Sequence, residues 1–183
     1  VNDSIIMTSL RDDSVGGDTN LDGGDSIPFP GDWHGITTVN GGQLNLTDFV
    51  ELRYLRVTHQ GLIASSETWL GNAVHHVTGS VTVPEGVTLT ILPGAIIKFE
   101  PDANLGIEIQ EGGVLDANGN IAQPIVFTSA RDDSVGGDTN GDGAETAPLI
   151  GDWRWIFANG GDLVLNYVTI LYGGGTTSGN WDN

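Results

Sequence analysis

Apolar and polar positions alternate in short bursts along this chain. Val81-Thr82-Val83, Thr88 to Ile91, Ala95 to Phe99, Ile107 to Ile109, Val114-Leu115 and Ile125 to Phe127 are runs rich in β-branched and aliphatic residues, the composition of a pleated, half-buried surface. Between them stand Pro84-Glu85-Gly86, Pro93-Gly94, Glu111-Gly112-Gly113 and Asn118-Gly119-Asn120, all strong turn formers. No segment carries apolar residues at i, i+3, i+4 and i+7 over a helical length. The pattern predicts strands and turns with almost no helix.

The spacing of the runs separates the all-β architectures. Val83 to Ile109 is 26 residues, Ile91 to Leu115 is 24 and Ile97 to Val126 is 29. Three strands recurring about every 25 residues predict a right-handed parallel β-helix, a β-solenoid with three faces. In it the aliphatics of successive coils stack at the inter-strand spacing of about 4.8 Å. A β-sandwich is the alternative, but it would join neighbouring strands through tight hairpins. Here each run finds its match one coil away.

The chain also repeats itself. Residues 11–20 read RDDSVGGDTN, and residues 131–140 repeat all ten. At the same offset, Ile5 answers Ile125, Thr8-Ser9 answers Thr128-Ser129, and Asp22-Gly23 answers Asp142-Gly143. Gly31-Asp32-Trp33 likewise answers Gly151-Asp152-Trp153. Beyond Gly42 the register slips. Tyr54 aligns with Tyr167 and Trp69 with Trp181, which places about seven extra residues near Thr47 to Glu51. The expectation is one continuous solenoid over residues 1–183, with a first unit at 1–120 and a partial second at 121–183. A tandem array with more copies on both sides follows from that arrangement.

Charge narrows the partners. Twenty-four Asp and Glu against 6 Lys and Arg give a net −18, a surface that repels phosphate and argues against nucleic acid or an anionic membrane. The absence of Cys removes disulfides, thiolate metal sites and cysteine nucleophiles. No apolar run approaches the ~18 residues of a membrane span, so no membrane insertion is expected. No charged-then-apolar export signal follows Val1, so any such signal is expected outside this sequence.

Ten of the acids sit in two short stretches: Asp12, Asp13, Asp18, Asp22 and Asp25, then Asp132, Asp133, Asp138, Asp142 and Glu145. Packed so closely they repel one another unless a cation sits among them, and Arg11 or Arg131 alone cannot suffice. Asp138-Thr139-Asn140-Gly141-Asp142-Gly143 is D-x-N-x-D-G, the opening half of a calcium loop. Side chains at its first, third and fifth positions converge on one centre, and the glycine permits the sharp turn. Asp18, Asn20, Asp22 and Gly23 keep the same features. Position 12 of the loop is Phe29 or Leu149, so neither copy is an EF-hand. The remaining oxygens are expected from Asp12 or Asp13, Asp132 or Asp133, Asp25, Glu145, Asp32 or Asp152. These loops resemble the short calcium loops of dockerins and thrombospondin type 3 repeats, and Ca²⁺ suits them better than Mg²⁺. The plainer alternative is a solvated acidic loop.

The stretch VTVPEGVTLTILPGAIIKFEP, then EGGVLDANG, then PIVFTSARDD resembles the parallel β-helix repeat regions of large bacterial and archaeal surface proteins. The resemblance covers most of the chain. That pattern is shared by polysaccharide lyases, adhesins and structural filaments, so it implies architecture more firmly than activity. A lyase would want a basic residue beside calcium, and a glycosidase two carboxylates about 5–9.5 Å apart. Arg53 and Arg56 share one predicted strand with only Glu51 nearby, and Asp102, Glu108, Glu111 and Asp116 are scattered. His34, His59, His75 and His76 are expected at the surface, with His75 and His76 on opposite faces of a strand. Trp33 and Trp153 are expected to seat the acidic loops; the alternative is a sugar-stacking platform that includes Trp155. The reading is a calcium-stabilised extracellular or cell-surface scaffold whose partners are copies of itself and, in a second reading, glycans.

Overall fold

The computed structural model describes residues 5–28, 32–33, 50–71, 73–102 and 104–174. Among them are thirteen strands and no helix, and every strand pair is parallel. The chain is a parallel β-helix. Its longest strand, β5 (Val74–Val83), lies on two faces at once. Its first half pairs with β7 (Ile96–Phe99) and its second half with β8 (Gly106–Gln110). β3 (Arg56–Leu62) runs beside both halves and shifts register between His59 and Gly61. The third face stacks β4 (Glu67–Trp69), β6 (Thr88–Ile91), β9 (Val114–Asn118) and β12 (Asp162–Asn166). β10 (Ile125–Ser129) and β13 (Val168–Ile170) extend the first face, and β11 (Trp155–Asn159) extends the second. β1 (Ile5–Met7) pairs with β2 (Val50–Leu52) as β10 pairs with β13.

Registers refine the spacing. Leu89 stands beside Leu115 and Ile91 beside Ala117, so that step is 26 residues rather than 24. Ile97 meets Phe127, one residue beyond the expected Val126. The alternation of strand side chains then builds interior columns. Leu89 and Leu115 are fully buried, as are Ile97 and Phe127, and Ile107 and Ile109. Burying each such side chain contributes about 1.5–3 kcal/mol.

Two expectations need correction. Ile5 pairs with Val50 and Ile125 with Val168, so the offset beyond the excursions is 168 − 50 = 118. The equivalent of Tyr54 is therefore Tyr172, not Tyr167, and the first copy carries two extra residues rather than seven. The backbone agrees, since Tyr54 and Tyr172 both adopt positive φ, 56° and 59°. Tyr167 also does, at 48°, so the strand register rather than φ decides between the two. The proposed insertion near Thr47 to Glu51 and the Trp69–Trp181 alignment reach outside the described residues.

The histidines are also not all at the surface. His75 is 2% exposed and stands beside Ile97 in an interior column. Its Nε2 lies 2.9 Å from the Leu70 carbonyl, which can only accept, so Nε2 carries the proton. Its Nδ1 therefore accepts from His59 Nε2, also at 2.9 Å. Trp69 stacks on His59 at 3.9 Å between ring centres, and its indole N–H donates to Glu67 Oε1 at 2.8 Å. His76 points outward as expected, but it is partly buried, with Nε2 2.9 Å from Glu100. His34 lies outside the described residues.

Candidate metal centre

Two excursions leave the coil path, one after β1 and one after β10, and their necks are built alike. In the second, the Ser129 hydroxyl donates to Asp152 at 2.6 Å, Leu149 N–H reaches the same oxygen at 3.1 Å, and Arg131 pairs with the other at 3.0 Å. Ser9 and Arg11 hold Asp32 in the first. The Thr128 hydroxyl donates to Asp132 at 2.6 Å and Ser134 N–H to its other oxygen at 3.2 Å. Thr8 and Ser14 treat Asp12 the same way. The Ser14 hydroxyl, then that of Thr8, holds the Asp12 carboxyl below the usual range. These four aspartates close the necks. Asp12, Asp132, Asp32 and Asp152, also expected among the ion's ligands, lie outside the two carboxylate clusters of the excursions.

The tips are different. Asp138 accepts N–H bonds from Gly141, Asp142 and Gly143 at 2.7, 3.2 and 2.8 Å, and Asp18 accepts from Asp22 and Gly23 at 3.1 and 2.9 Å. Asp142 in turn caps Ala144 and Glu145, and Asp22 caps Gly24 and Asp25. These Asx-type turns are what Asp and Gly in tight loops favour. They bring oxygens of Asp13, Asp18 and Asp22 within 4.8 Å of one another, and those of Asp133, Asp138 and Asp142 likewise. Asp25 and Glu145 lend only backbone N–H groups; their side chains stand exposed outside the clusters.

Each excursion also has buried oxygens without a donor. Asn20 and Asn140 spend their amide N–H groups on Asp22 and Asp142, both at 2.8 Å. Their Oδ1 atoms, and Oδ1 of Asp13 and Asp133, are buried with no hydrogen-bond donor among the described residues. Burial, then the charges of Asp18 and Asp22, pushes the Asp13 carboxyl up. Burial, then Asp138, does the same to Asp133. An all-oxygen set of three carboxylates and an amide carbonyl fits a hard cation with adaptable coordination.

Sequence reasoning missed Lys98. It is fully buried, although its neighbours Ile97 and Phe99 face the core and it faces out. The second excursion covers it, and its ammonium donates to the Gly137 carbonyl. Burial lowers its pKa to about 8 against the pull of Asp132, Asp133 and Asp138. The signal was a lone lysine inside the apolar run Ala95 to Phe99. Arg56 also serves this excursion, reaching the Thr139 carbonyl at 2.9 Å. Arg53 falls between β2 and β3 and reaches Asp12 at 3.4 Å.

Trp153 is 1% exposed, and Trp33 donates its indole N–H to Arg53 O at 2.6 Å. Both belong to the loop seating. Trp155 lies outside the core, with the Arg154 guanidinium 3.7 Å from its ring centre and Phe157 at 5.9 Å. A Cβ on Gly106 would fall 2.3 Å from the Trp155 carbonyl oxygen and 2.5 Å from its ring, so glycine makes room for both the paired backbone and the indole.

A family model described as a pectate-lyase-like β-helix domain matches residues 61–142, a stretch that runs from β3 through the second acidic cluster. No curated protein and no solved structure matches the chain.

Proposed function

We propose that this chain is a structural β-helix segment of an extracellular surface protein or filament, with each excursion locked by one calcium ion. The ligands are Asp13, Asp18, Asp22 and Asn20 in the first loop and Asp133, Asp138, Asp142 and Asn140 in the second. The observation that carries the reading is the same convergence of three carboxylates in both copies, each beside a buried, donorless asparagine oxygen. A cation there offsets the mutual repulsion and turns its binding energy into stability. As a scaffold, the segment has further units of its own kind as partners. At 100 times the dissociation constant each ion adds about 2.7 kcal/mol, so removing calcium lowers the melting temperature by roughly 5–10 °C per site. Calorimetry with calcium and with EDTA tests this, and an unchanged melting temperature refutes it.

A second reading, a carbohydrate-binding or polysaccharide-cleaving module, is favoured by the pectate-lyase-like match and by the outward Trp155–Phe157 pair. A glycan array and an activity screen on acidic polysaccharides separate it from the scaffold.

A further inference from the structure

The two copies of RDDSVGGDTN are identical in sequence and unlike in surroundings. In the second, Thr139 is 3% exposed, and a Cβ on Gly136 would lie 2.8 Å from Val74 and 3.2 Å from Ile96. Arg56 and Lys98 reach up from β3 and β7 to the Thr139 and Gly137 carbonyls. This loop rests on a bed formed by the outer face of two coils. In the first copy, Gly16, Gly17 and Thr19 are exposed, and among the described residues no donor reaches the Gly17 or Thr19 carbonyl. A Cβ on Gly17 would meet nothing within 4 Å. At the neck, Leu10 is 72% exposed where its counterpart Ala130 is fully buried.

We propose that the underside of the first excursion, formed by Gly16, Gly17, Thr19 and Leu10, is a docking surface for a β-helix coil. That coil carries an arginine and a lysine on its outer face, placed as Arg56 and Lys98 are. The partner is a further unit of this same repeat, because the bedded copy shows what the identical decapeptide accepts. The inference rests on the scaffold reading and names the contact by which one unit locks the loop of the next. Cationic donors to backbone carbonyls, together with a flat apolar floor for glycine, supply the fit.

Hydrogen–deuterium exchange of the full chain tests it, since identical sequences have equal intrinsic exchange rates. Peptides extended into the differing flanks distinguish the copies. Amides of residues 136–139 should exchange about tenfold or more slowly than those of 16–19. Arg56→Met with Lys98→Met should raise the second loop to the rate of the first. In a longer chain, with a second copy of residues 53–124 in place of residues 1–4, the first loop should become as protected as the second. The same two substitutions in the added copy should abolish that gain. Equal rates in the unmodified chain, or a first loop indifferent to the added coils, overturn the proposal. Exchange in EDTA separates it from the calcium reading: if calcium changes nothing while the contrast persists, the ion fails and the docking surface stands.

Discussion

Trp153 lies face to face with Phe99, their ring centres 4.2 Å apart and their planes 9° from parallel. The indole N–H donates to Leu171 O at 2.9 Å, so this one side chain ties the end of the excursion to the core and to the chain just after β13. Trp153→Ala should cost about 3–5 kcal/mol. Trp153→Phe keeps a ring on Phe99 and loses one hydrogen bond, a cost of about 1 kcal/mol. Chemical denaturation of the three proteins checks the order, and a neutral alanine variant would show that the ring seats nothing.

Asp133 and Asp132 are adjacent and have opposite roles. Asp132 is buried with both oxygens occupied, whereas Asp133 has an oxygen with no donor and two carboxylates within 4.8 Å. Without metal, Asp133→Asn should therefore stabilise, by 1 kcal/mol at most in order of magnitude because water screens the cluster. It should also abolish the calcium-induced rise in melting temperature at that site. Asp132→Ala should destabilise with or without calcium, since it strands the Thr128 hydroxyl. Calorimetry of both variants in EDTA and in calcium decides the matter. Equal behaviour of the pair would remove the distinction drawn between neck and tip.

Much of this was legible because a β-helix writes its coil into the spacing of its apolar runs. Strands β6 to β10 lie where the runs starting at Thr88, Ala95, Ile107, Val114 and Ile125 predicted, and the D-x-N-x-D-G spacing marked two of the three carboxylates that converge in each loop. What the sequence hid was set by neighbours one coil away. Asp12 and Asp13 look equivalent until Thr8 claims one of them. Lys98 looks like a surface charge until an excursion beginning more than thirty residues later covers it. His75 looks polar, yet its place beside Ile97 carries it inward, and the Leu70 carbonyl and His59 make that position tolerable. The match of Tyr54 to Tyr167 rested on residue identity alone, and a second tyrosine five residues later, Tyr172, is the one the strand register selects.

Leu115 lies between Leu89 and Leu163 on the third face, with Leu115 and Leu89 fully buried and Leu163 37% exposed. Leu115→Ala should cost about 2–5 kcal/mol, because rigid rungs above and below cannot collapse into the void. Leu163→Ala should cost clearly less. Urea unfolding of the two variants checks the ranking, and equal losses would mean that the outer coil is as tightly packed as the inner one.

The buried imidazoles make stability depend on pH. Burial lowers the pKa of His75 to about 4, against the opposing pull of its bond to Leu70. Burial, then the neighbouring His75, lowers His59 to about 3. In the unfolded chain both titrate near 6.5. The folded state thus binds fewer protons than the unfolded state between these limits, and stability rises with pH there. The contribution is complete above about pH 6.5 and is lost as pH falls toward 4, with His75 accounting for about 3 kcal/mol. Protonation of His75 at Nδ1 would also set two N–H donors against each other where His59 now donates. Melting curves at pH 7 and pH 5 in EDTA, which removes any calcium linkage, should show the lower value at pH 5. His75→Phe should flatten that dependence while lowering stability at pH 7, because the Leu70 carbonyl and His59 Nε2 lose their partner. A pH dependence unchanged by His75→Phe would place the titrating group elsewhere in the chain.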